Sequence, residues 1–331
     1  MLAGMLNSHS LSRRSFLLST SLAASSAILG FPAALAAERA QTEWPVGCRD
    51  IYLNLAGQSD TWSCMKALGA GCTEVLVSLD LKTPGLFHPT HKYSLTTEDG
   101  LRAIKEDAAE NGCRISAFLR GTRFDERLEQ ELESARRLVK VAGQLGVPAI
   151  RIDVWPRAIP EGKFLPFAIK TCKQLCEIAQ DTGVRFGVEN HGHTTNNTAF
   201  LDKLFDGVDS PHLGLTMDLA NFYWFGDPLD ELYGIYAKYA SRAVHTHCKS
   251  IHYPAARRNV RRQMGWEYGK YCCPIYEGDI DYHQVIRIFR ENGFHGDLCI
   301  EDESLGHFPE AERAGVIRRE IAMLRSLARE T

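Results

Sequence analysis

The sequence lacks a strong excess of either charge and, beyond its N-terminus, any long apolar run. Its 331 residues include 38 basic and 41 acidic side chains, which gives a formal net charge of −3. A chain with so little net charge has no overall field that attracts polyanions, so we expect no nucleic-acid partner. No later segment approaches the roughly 20 apolar residues of a membrane-spanning helix. We therefore expect no stable membrane insertion after the N-terminal segment is removed.

The N-terminus has the pattern of an export signal. Residues 12–18 read Ser-Arg-Arg-Ser-Phe-Leu-Leu, and a small and apolar stretch leads from there to a cleavage-type Ala34-Leu35-Ala36. We predict a twin-arginine signal peptide over residues 1–36 and a linker over 37–49. The partner would be the Tat export machinery, and the folded protein would reach the periplasm or be secreted. An uncleaved membrane anchor is the alternative.

Ten cysteines in an exported protein would ordinarily suggest disulfides. Cys72, Cys113 and Cys299 instead lie at or in predicted strands, and Cys172 and Cys176 are one helical turn apart. We therefore expect most of the cysteines to be small apolar core side chains. Cys272 and Cys273 are the exception, because they are adjacent in a long loop. There we consider an adjacent-cysteine disulfide or a reactive thiol.

Strand-like and helix-like patterns alternate eight times along the rest of the chain. The predicted strands are 51–55, 73–78, 114–119, 149–154, 184–191, 213–218, 243–247 and 297–301. The predicted helices between and after them are 61–68, 97–110, 125–145, 164–181, 198–205, 229–239, 282–292 and 309–327. Eight strict alternations predict an α/β fold, a closed (β/α)8 TIM barrel that forms a single domain over residues 50–329.

Four of the predicted strands end in polar residues, which is a poor composition for a buried strand end unless something polar binds there. The residues are Glu189, Asp218, His247 and Glu301. A barrel brings the carboxyl ends of its strands together on one face. Three carboxylates and an imidazole form an oxygen-rich site that suits Mn²⁺, Mg²⁺ or Co²⁺. We choose His247 over His245, which points the same way, because His247 lies nearer the strand end.

Further motifs around these residues carry a resemblance to a known family. They are Val188-Glu189-Asn190-His191, Met217-Asp218, His247-Cys248-Lys249-Ser250, and Glu277-Gly278-Asp279-Ile280-Asp281 followed by Gly293-Phe294-His295-Gly296-Asp297-Leu298-Cys299-Ile300-Glu301. Over about residues 50–327 the sequence resembles the sugar phosphate isomerase/epimerase superfamily, the xylose isomerase-like TIM barrels. The motifs are specific for the superfamily and weak for any one substrate.

The resemblance implies a divalent metal, with Mn²⁺ as our first choice, held by Glu189, Asp218, His247 and Glu301. It also implies that Glu189 and Glu301 are catalytic. In the ketose epimerases and isomerases of this group, two glutamates flank the carbon that loses a proton. A cation can stabilise the developing enediolate oxygen, and two carboxylates on opposite faces can exchange or relay a proton.

The substrate-contacting side of the site departs from the family at one position. Sugar epimerases of the group often carry a histidine three residues after the strand-six aspartate, where this chain has Asn221. An asparagine can hydrogen-bond a hydroxyl but cannot take up a proton at neutral pH. The predicted substrate-binding residues are Arg151, His191, His193, Asn221, Lys249 and Glu303, and Asp153 is a further candidate for the lining of the pocket.

A long insertion over residues 250–280 lies on the predicted catalytic face and interleaves four arginines with aromatic side chains. Loops of this length in compact domains are usually functional or disordered. We predict a lid or a specificity loop that grips a sugar, an acid or a phosphate. A solvated basic loop, or one packed on a neighbouring subunit of a homo-oligomer, is the alternative.

These observations favour a metal-dependent isomerase or epimerase that acts on a carbohydrate by enolisation next to a carbonyl. An exported enzyme is expected to use free sugars rather than sugar phosphates, and folding in the cytoplasm would let Mn²⁺ bind without competition from Cu²⁺ or Zn²⁺. The first alternative is a lyase that eliminates a group from a keto-sugar or keto-glycoside. A non-catalytic periplasmic sugar-binding barrel is the second, and an abasic-site endonuclease fits the acidic, exported chain poorly.

Overall fold

The computed structural model of the protein describes residues 44–330, and the predicted signal peptide lies outside them. Eight parallel strands form one sheet in which β1 follows the last strand, so the order of pairing is that of a barrel. In chain order the barrel strands are β1 Val46–Arg49, β2 Cys72–Leu76, β3 Arg114–Arg120, β4 Ala149–Ile152, β5 Arg185–Glu189, β6 Leu213–Asp218, β7 Ala243–His247 and β10 Leu298–Ile300. The predicted (β/α)8 TIM barrel is confirmed.

The pairing that closes the barrel between β7 and β10 extends over few residues. Cys248, just beyond β7, makes a parallel bridge to Ile300. Its amide N–H donates to the Cys299 carbonyl at 2.7 Å, and its own carbonyl accepts from the Glu301 amide at 3.1 Å. The barrel is therefore nearly closed at the point where two of the predicted site residues, His247 and Glu301, meet.

The helices surround the sheet and join its strands. They are α1 Thr61–Leu68, α2 Glu98–Glu110, α3 Phe124–Leu145, α4 Glu161–Ala179, α5 Thr198–Val208, α6 Leu219–Phe225, α7 Leu229–Tyr239, α8 Ala255–Arg258, α9 Tyr268–Tyr271, α10 Tyr282–Glu291 and α11 Glu310–Arg329. Local capping explains several boundaries. Thr97 accepts a hydrogen bond from the Gly100 amide at the start of α2, and Gly146 ends α3 with a φ of 69°. Within residues 44–330 no helix combines the length and apolarity needed to cross a membrane.

The first strand is displaced from its predicted position. The apolar run 51–55 was predicted as a strand, but it lies in a 3₁₀ helix, Asp50–Ala56, and β1 lies just before it, within the predicted linker. Asp50 explains the end of β1, because its carboxylate accepts from the Leu76 amide at 2.9 Å in place of a strand carbonyl. Ile51 is then 52% exposed, which a barrel strand would not allow.

Several short elements after β6 and in the long insertion were not predicted. Helix α6 follows β6 directly, and its first residue, Leu219, comes immediately after Asp218. In the long insertion, β8 Ser250–Ile251 pairs antiparallel with β9 Cys272–Cys273. All ten cysteines lie within the described residues and are free thiols, so the disulfide considered between Cys272 and Cys273 is not formed. Burial raises the pKa of both thiols, which disfavours the reactive thiolate.

Candidate metal centre

Four side chains converge at the carboxyl ends of the strands. Glu189 ends β5, Asp218 ends β6, His247 ends β7, and Glu301 follows β10. One possible ligand atom from each lies within 4.8 Å of the others, and all four residues are buried. Three of the strands end at these residues, so the side chains lie at the carboxyl-terminal rim of the barrel.

A bulge in β7 turns its histidines toward the barrel axis. Leu215 pairs with Ala243, but the next residue, Thr216, pairs with His245, so Val244 is an extra residue in the strand. Without it, His245 would pair with Met217 and face the helices. With it, Asp218 pairs with His247, and both side chains face the axis because partners in a parallel ladder point the same way.

Three carboxylates surround one imidazole nitrogen. His247 Nδ1 lies 2.6 Å from Glu189 Oε1, 3.2 Å from Glu301 Oε2 and 4.0 Å from Asp218 Oδ2. Burial opposes a charge on His247, yet Glu301, Glu74 and Glu189 raise the pKa of its imidazole well above the usual value. The carboxylates thus favour a positive charge at this place.

Asp218 has one oxygen committed to the fold and one directed to the site. Its Oδ1 caps α6 by accepting from the Ala220 and Asn221 amides, each at 2.9 Å. Its Oδ2 is buried and accepts no hydrogen bond from the part of the chain that the structure describes, although Lys249 Nζ lies 2.8 Å away. Burial, with the neighbouring Glu301 and Glu189, raises the pKa of Asp218 to about 7 against the opposing effect of Lys249. A buried oxygen without a hydrogen bond, beside two carboxylates and an imidazole, fits a divalent cation.

Each glutamate of the site is held by a buried or half-buried arginine. Arg151 forms an ion pair with Glu189, and its other terminal nitrogen lies 3.0 Å from Asp153 Oδ1. Arg49 donates to Glu301 Oε1 at 2.5 Å. Burial would raise the pKa of Glu189, but Arg151 and His247 outweigh burial and lower it to about 2. For Glu301, His247 and Lys249 likewise outweigh burial, so its pKa lies well below the usual value.

The other predicted site residues divide into two groups. Arg151, His191, Lys249 and Glu303 lie at the cluster: His191 Nδ1 is 3.5 Å from Glu189 Oε2, and Lys249 Nζ is 3.1 Å from Glu301 Oε2 and 3.4 Å from Glu303 Oε1. The side chains of His193 and Asn221 have partners outside the ligand cluster. His193 is exposed, and its Nδ1 lies 2.6 Å from Glu161 Oε1. Asn221 is buried, and its side-chain Nδ2 donates to the Asn190 backbone carbonyl at 2.9 Å.

The four arginines of the long insertion contact the protein itself. Arg262 is buried between the Tyr223 and Tyr253 rings and donates to backbone carbonyls on both sides. The partners of the others are the Trp266 ring for Arg257, Asp279 for Arg258 and Asp227 for Arg261. The insertion still reaches the site, because the Tyr268 hydroxyl donates to Glu303. These arginines contact the loop and its surroundings, and the Tyr268 hydroxyl connects the loop to Glu303, beside the candidate ligand cluster.

Sequence reasoning missed Arg49 and Glu74. Glu74 lies inside β2 with 1% of its surface exposed, and its carboxylate oxygens lie 3.1 and 3.2 Å from His247 Nε2. Its Oε2 also lies 3.2 Å from Arg49 Nε. The available signal was a carboxylate within the otherwise uncharged strand Cys-Thr-Glu-Val-Leu.

Comparison with known proteins identifies the fold family. A family model described as xylose isomerase-like TIM barrel matches residues 66–327. The chain belongs to this family. An inosose dehydratase of Clostridium perfringens is 26% identical over 135 residues, which cover 39% of this chain and 44% of that protein. An inosose dehydratase of Clostridium botulinum (strain Alaska E43) is 29% identical over 136 residues. The chain thus spans less than half the length of the curated relatives it matches.

Solved structures of this family extend the likeness over most of the chain. The apo 3-keto-D-glucoside 4-epimerase of E. coli has a TM-score of 0.60 at 14% identity and covers 86% of this chain and 99% of its own. The IOLI protein with a bound zinc atom also has a TM-score of 0.60 at 14% identity, with 85% and 98% covered. A family member from Mycobacterium smegmatis in complex with magnesium has a TM-score of 0.58 at 17% identity, with 86% and 98% covered. At such identities the likeness shows the fold alone.

Proposed function

We propose that this protein is a divalent-metal-dependent enzyme that removes a proton next to the carbonyl of a polyhydroxylated ketone and returns it as an isomerase or epimerase. The observation that carries the proposal is the convergence of Glu189, Asp218, His247 and Glu301, whose ligand atoms lie within 4.8 Å of one another. A cation bound by these residues would stabilise the negative charge that develops on the substrate's carbonyl oxygen.

The chain's own residues supply the rest of the chemistry. Glu189 and Glu301 approach the centre from different strands, and Arg151 and Arg49 orient them. An ionised carboxylate at either position can take the proton from carbon and return it. The Lys249 ammonium, beside Asp218 and Glu301, can donate a hydrogen bond to a substrate oxygen.

The polar rim beside Glu189 supports a carbohydrate substrate. Arg151 Nε, Asp153 Oδ1 and His191 Nδ1 are buried atoms without a hydrogen-bond partner among residues 44–330, although charged groups lie close to them. Buried polar groups without partners are costly, and hydroxyl groups of a sugar or cyclitol would satisfy them. The names of the relatives, an inosose dehydratase and a 3-keto-glucoside epimerase, point to the same class of substrate.

A lyase is the second candidate, and the charged groups around the two glutamates favour it. Arg151 keeps Glu189 ionised, and His247 with Lys249 keeps Glu301 ionised, so neither glutamate carries a proton that it could give to a departing group. In an elimination the proton leaves carbon while a different group protonates the departing hydroxyl, and the Lys249 ammonium is placed to do this. The similarity to inosose dehydratases agrees with such a reaction.

The metal and the location are further parts of the proposal. Mn²⁺ remains our first choice because the donor set is oxygen-rich, although zinc and magnesium are bound by structural neighbours of the family. The twin-arginine pattern at residues 12–18 supports export of the folded protein to the periplasm or beyond. Loading with Mn²⁺ before export would avoid competition from tighter-binding metals.

The test combines metal analysis with hydrogen exchange at carbon. The purified protein is incubated in D₂O with ketohexoses, a 3-keto-glucoside and an inosose, and NMR follows deuterium entering the substrate. We expect stoichiometric metal and metal-dependent exchange, with the product separating epimer from elimination product. Binding of a sugar without any exchange would favour the non-catalytic sugar-binding barrel instead.

Two aspartates provide a matched pair of variants for this experiment. Asp218 and Asp281 both cap helices by accepting two backbone amides, but Asp281 lies at the start of α10. Asparagine caps helices as well as aspartate does, so Asp218→Asn and Asp281→Asn should both fold. We expect only Asp218→Asn to lose metal and exchange. Equal metal content in both variants would remove Asp218 from the ligand set.

A further inference from the structure

Glu74 is a buried carboxylate that contacts the metal cluster from inside the barrel. It pairs with Ala117 in the neighbouring strand and with Arg49 on the other side. Its Oε1 lies 3.0 Å from His245 Nε2 and 3.1 Å from His247 Nε2, and its Oε2 lies 3.2 Å from Arg49 Nε. Glu74 therefore joins a predicted ligand, a second histidine and an arginine.

On β3 and β4 the positions that neighbour Glu74 carry no charge. Ala117 and Ala149, which continue the same layer on β3 and β4, are apolar and fully buried. Moving an ionised carboxylate into a protein interior costs several kcal/mol unless partners offset it. An apolar side chain would avoid that cost, so the contacts made by Glu74 need another explanation.

The contacts of Glu74 fix the orientation of two predicted metal ligands. When the Nε2–H of His247 donates to Glu74, the other nitrogen, Nδ1, faces Glu189 and Glu301. Arg49 links Glu74 to the second ligand, because its Nε forms an ion pair with Glu74 Oε2 at 3.2 Å and its Nη1 donates a hydrogen bond to Glu301 Oε1 at 2.5 Å. One carboxylate thus holds an imidazole directly and a glutamate through a guanidinium.

Glu74 is itself held from the opposite side. His245 Nε2 contacts Glu74 Oε1, and His245 Nδ1 lies 2.6 Å from Asp297 Oδ1. His245, Glu74 and His247 are almost completely buried, so water does not compete for these contacts. The chain Asp297–His245–Glu74–His247 leaves Glu74 little freedom to rotate.

We propose that Glu74 is the positioning residue of the metal centre, which makes His247 a ligand through Nδ1 and holds Glu301 through Arg49. The inference rests on the metal site of the proposed function. Carboxylates that accept from the distal nitrogen of a ligating histidine fix its tautomer, and removing such partners typically lowers metal affinity about 10- to 100-fold.

The test compares Glu74→Gln with Glu131→Gln. Glu131 is also buried and also pairs with arginines, Arg120 and Arg127, but it lies on α3 away from the metal cluster. The affinity for Mn²⁺ is measured from the EPR signal of the free ion. We expect a loss of about 10- to 100-fold for Glu74→Gln and less than about 2-fold for Glu131→Gln. Equal affinities for Glu74→Gln and the wild type would overturn the inference while leaving the metal site itself intact.

A second measurement does not depend on the variant folding. Nitrogen NMR of the ¹⁵N-histidine-labelled wild type, loaded with Zn²⁺, shows which ring nitrogen of His247 binds the metal and which keeps its proton. We expect ligation through Nδ1 and a protonated Nε2. Ligation through Nε2 would refute the role of Glu74 even if the enzyme is active, whereas a wild type that binds no metal would refute the proposed function together with it.

Discussion

The two faces of the barrel strands carry different chemistry. Toward the helices, β5 presents Phe186 and Val188 and β6 presents Leu215, all of them buried among apolar side chains. Toward the barrel axis, β5 ends in Glu189 and β7 presents two histidines that contact Glu74. Both faces are excluded from water, but only the outer one is built as an ordinary hydrophobic core.

The side chains of the outer face mainly stabilise the fold, whereas those of the inner face mainly form and orient the candidate site. Burying apolar side chains such as Phe186 stabilises the folded state by roughly 1.5–3 kcal/mol each. Buried ion pairs such as Arg151–Glu189 contribute little net stability, because desolvation offsets much of the attraction. We therefore expect substitutions on the outer face to change stability and substitutions on the inner face to change binding and turnover.

The largest expected effect is on turnover. Glu189→Gln removes the carboxylate that is proposed to carry the proton but keeps the size of the side chain. We expect the rate of deuterium exchange into substrate to fall by about 10³-fold or more, with the far-UV circular dichroism unchanged. The control is Glu131→Gln, a buried glutamate that is likewise held by an arginine. A Glu189→Gln enzyme with nearly wild-type exchange would refute the assignment of the base.

A substitution on the outer face should lower the stability of the fold and leave the affinity for metal almost unchanged. Phe186→Ala leaves a cavity in the layer between strands and helices, and we expect the free energy of unfolding to fall by about 3–5 kcal/mol. Affinity for Mn²⁺, measured on the folded protein, should stay within about 2-fold of the wild type. Ile51→Ala is the control, because Ile51 is 52% exposed and its truncation should cost less than about 0.5 kcal/mol. A large loss of metal affinity in Phe186→Ala would show that the two faces are coupled.

The outer face and the strand ends could be predicted because each leaves a local signal. Alternating apolar strands and helices predicted the barrel, and polar residues at strand ends predicted where Glu189, Asp218, His247 and Glu301 would meet. Their role as ligands remains a prediction. The first strand was misplaced because Ile51 to Leu55 has higher strand propensity than Val46 to Arg49, whereas the side chain of Asp50 ends the pairing.

The inner face was harder to predict because its contacts join distant parts of the chain. Glu74 and His247 are separated by 173 positions, and Arg49 and Glu301 by 252. The bulge at Val244, which turns both histidines inward, leaves no mark in the periodicity of a five-residue strand. Local patterns therefore located the rim of the site but not the residues that hold it in place.

Lys249 can separate the two candidate reactions on the inner face. Lys249→Met removes the ammonium proposed to protonate a departing hydroxyl but leaves the two glutamates. If the enzyme is a lyase, elimination should fall by about 10²-fold while deuterium exchange continues, because proton removal from carbon precedes the lost step. Lys270→Met, an exposed lysine in the same insertion, is the control. Parallel loss of exchange and elimination would show that Lys249 acts before the two reactions diverge.

The smallest expected effect concerns Glu320, a carboxyl group on the outer side of the barrel that has no cationic partner within residues 44–330. It is fully buried on α11 and accepts from the Ile275 amide at 2.9 Å. Burial, with the nearby Asp302, raises the pKa of Glu320 well above the usual value, in contrast to Glu189 on the inner face. The folded state therefore binds a proton that the unfolded state loses near its ordinary pKa of about 4.3.

The sign of the pH dependence follows from that proton. The stabilisation from protonated Glu320 is complete below the unfolded pKa and is lost as the pH rises toward the folded pKa. Urea unfolding at pH 5 and pH 8 should show that Glu320→Gln gains stability relative to the wild type as the pH rises, because an amide needs no proton to stay neutral. Glu312→Gln, an exposed position on the same helix, should show no such change. A Glu320→Gln variant whose stability relative to the wild type is the same at both pH values would mean that the wild-type carboxyl is ionised in the core, like the carboxylates of the inner face.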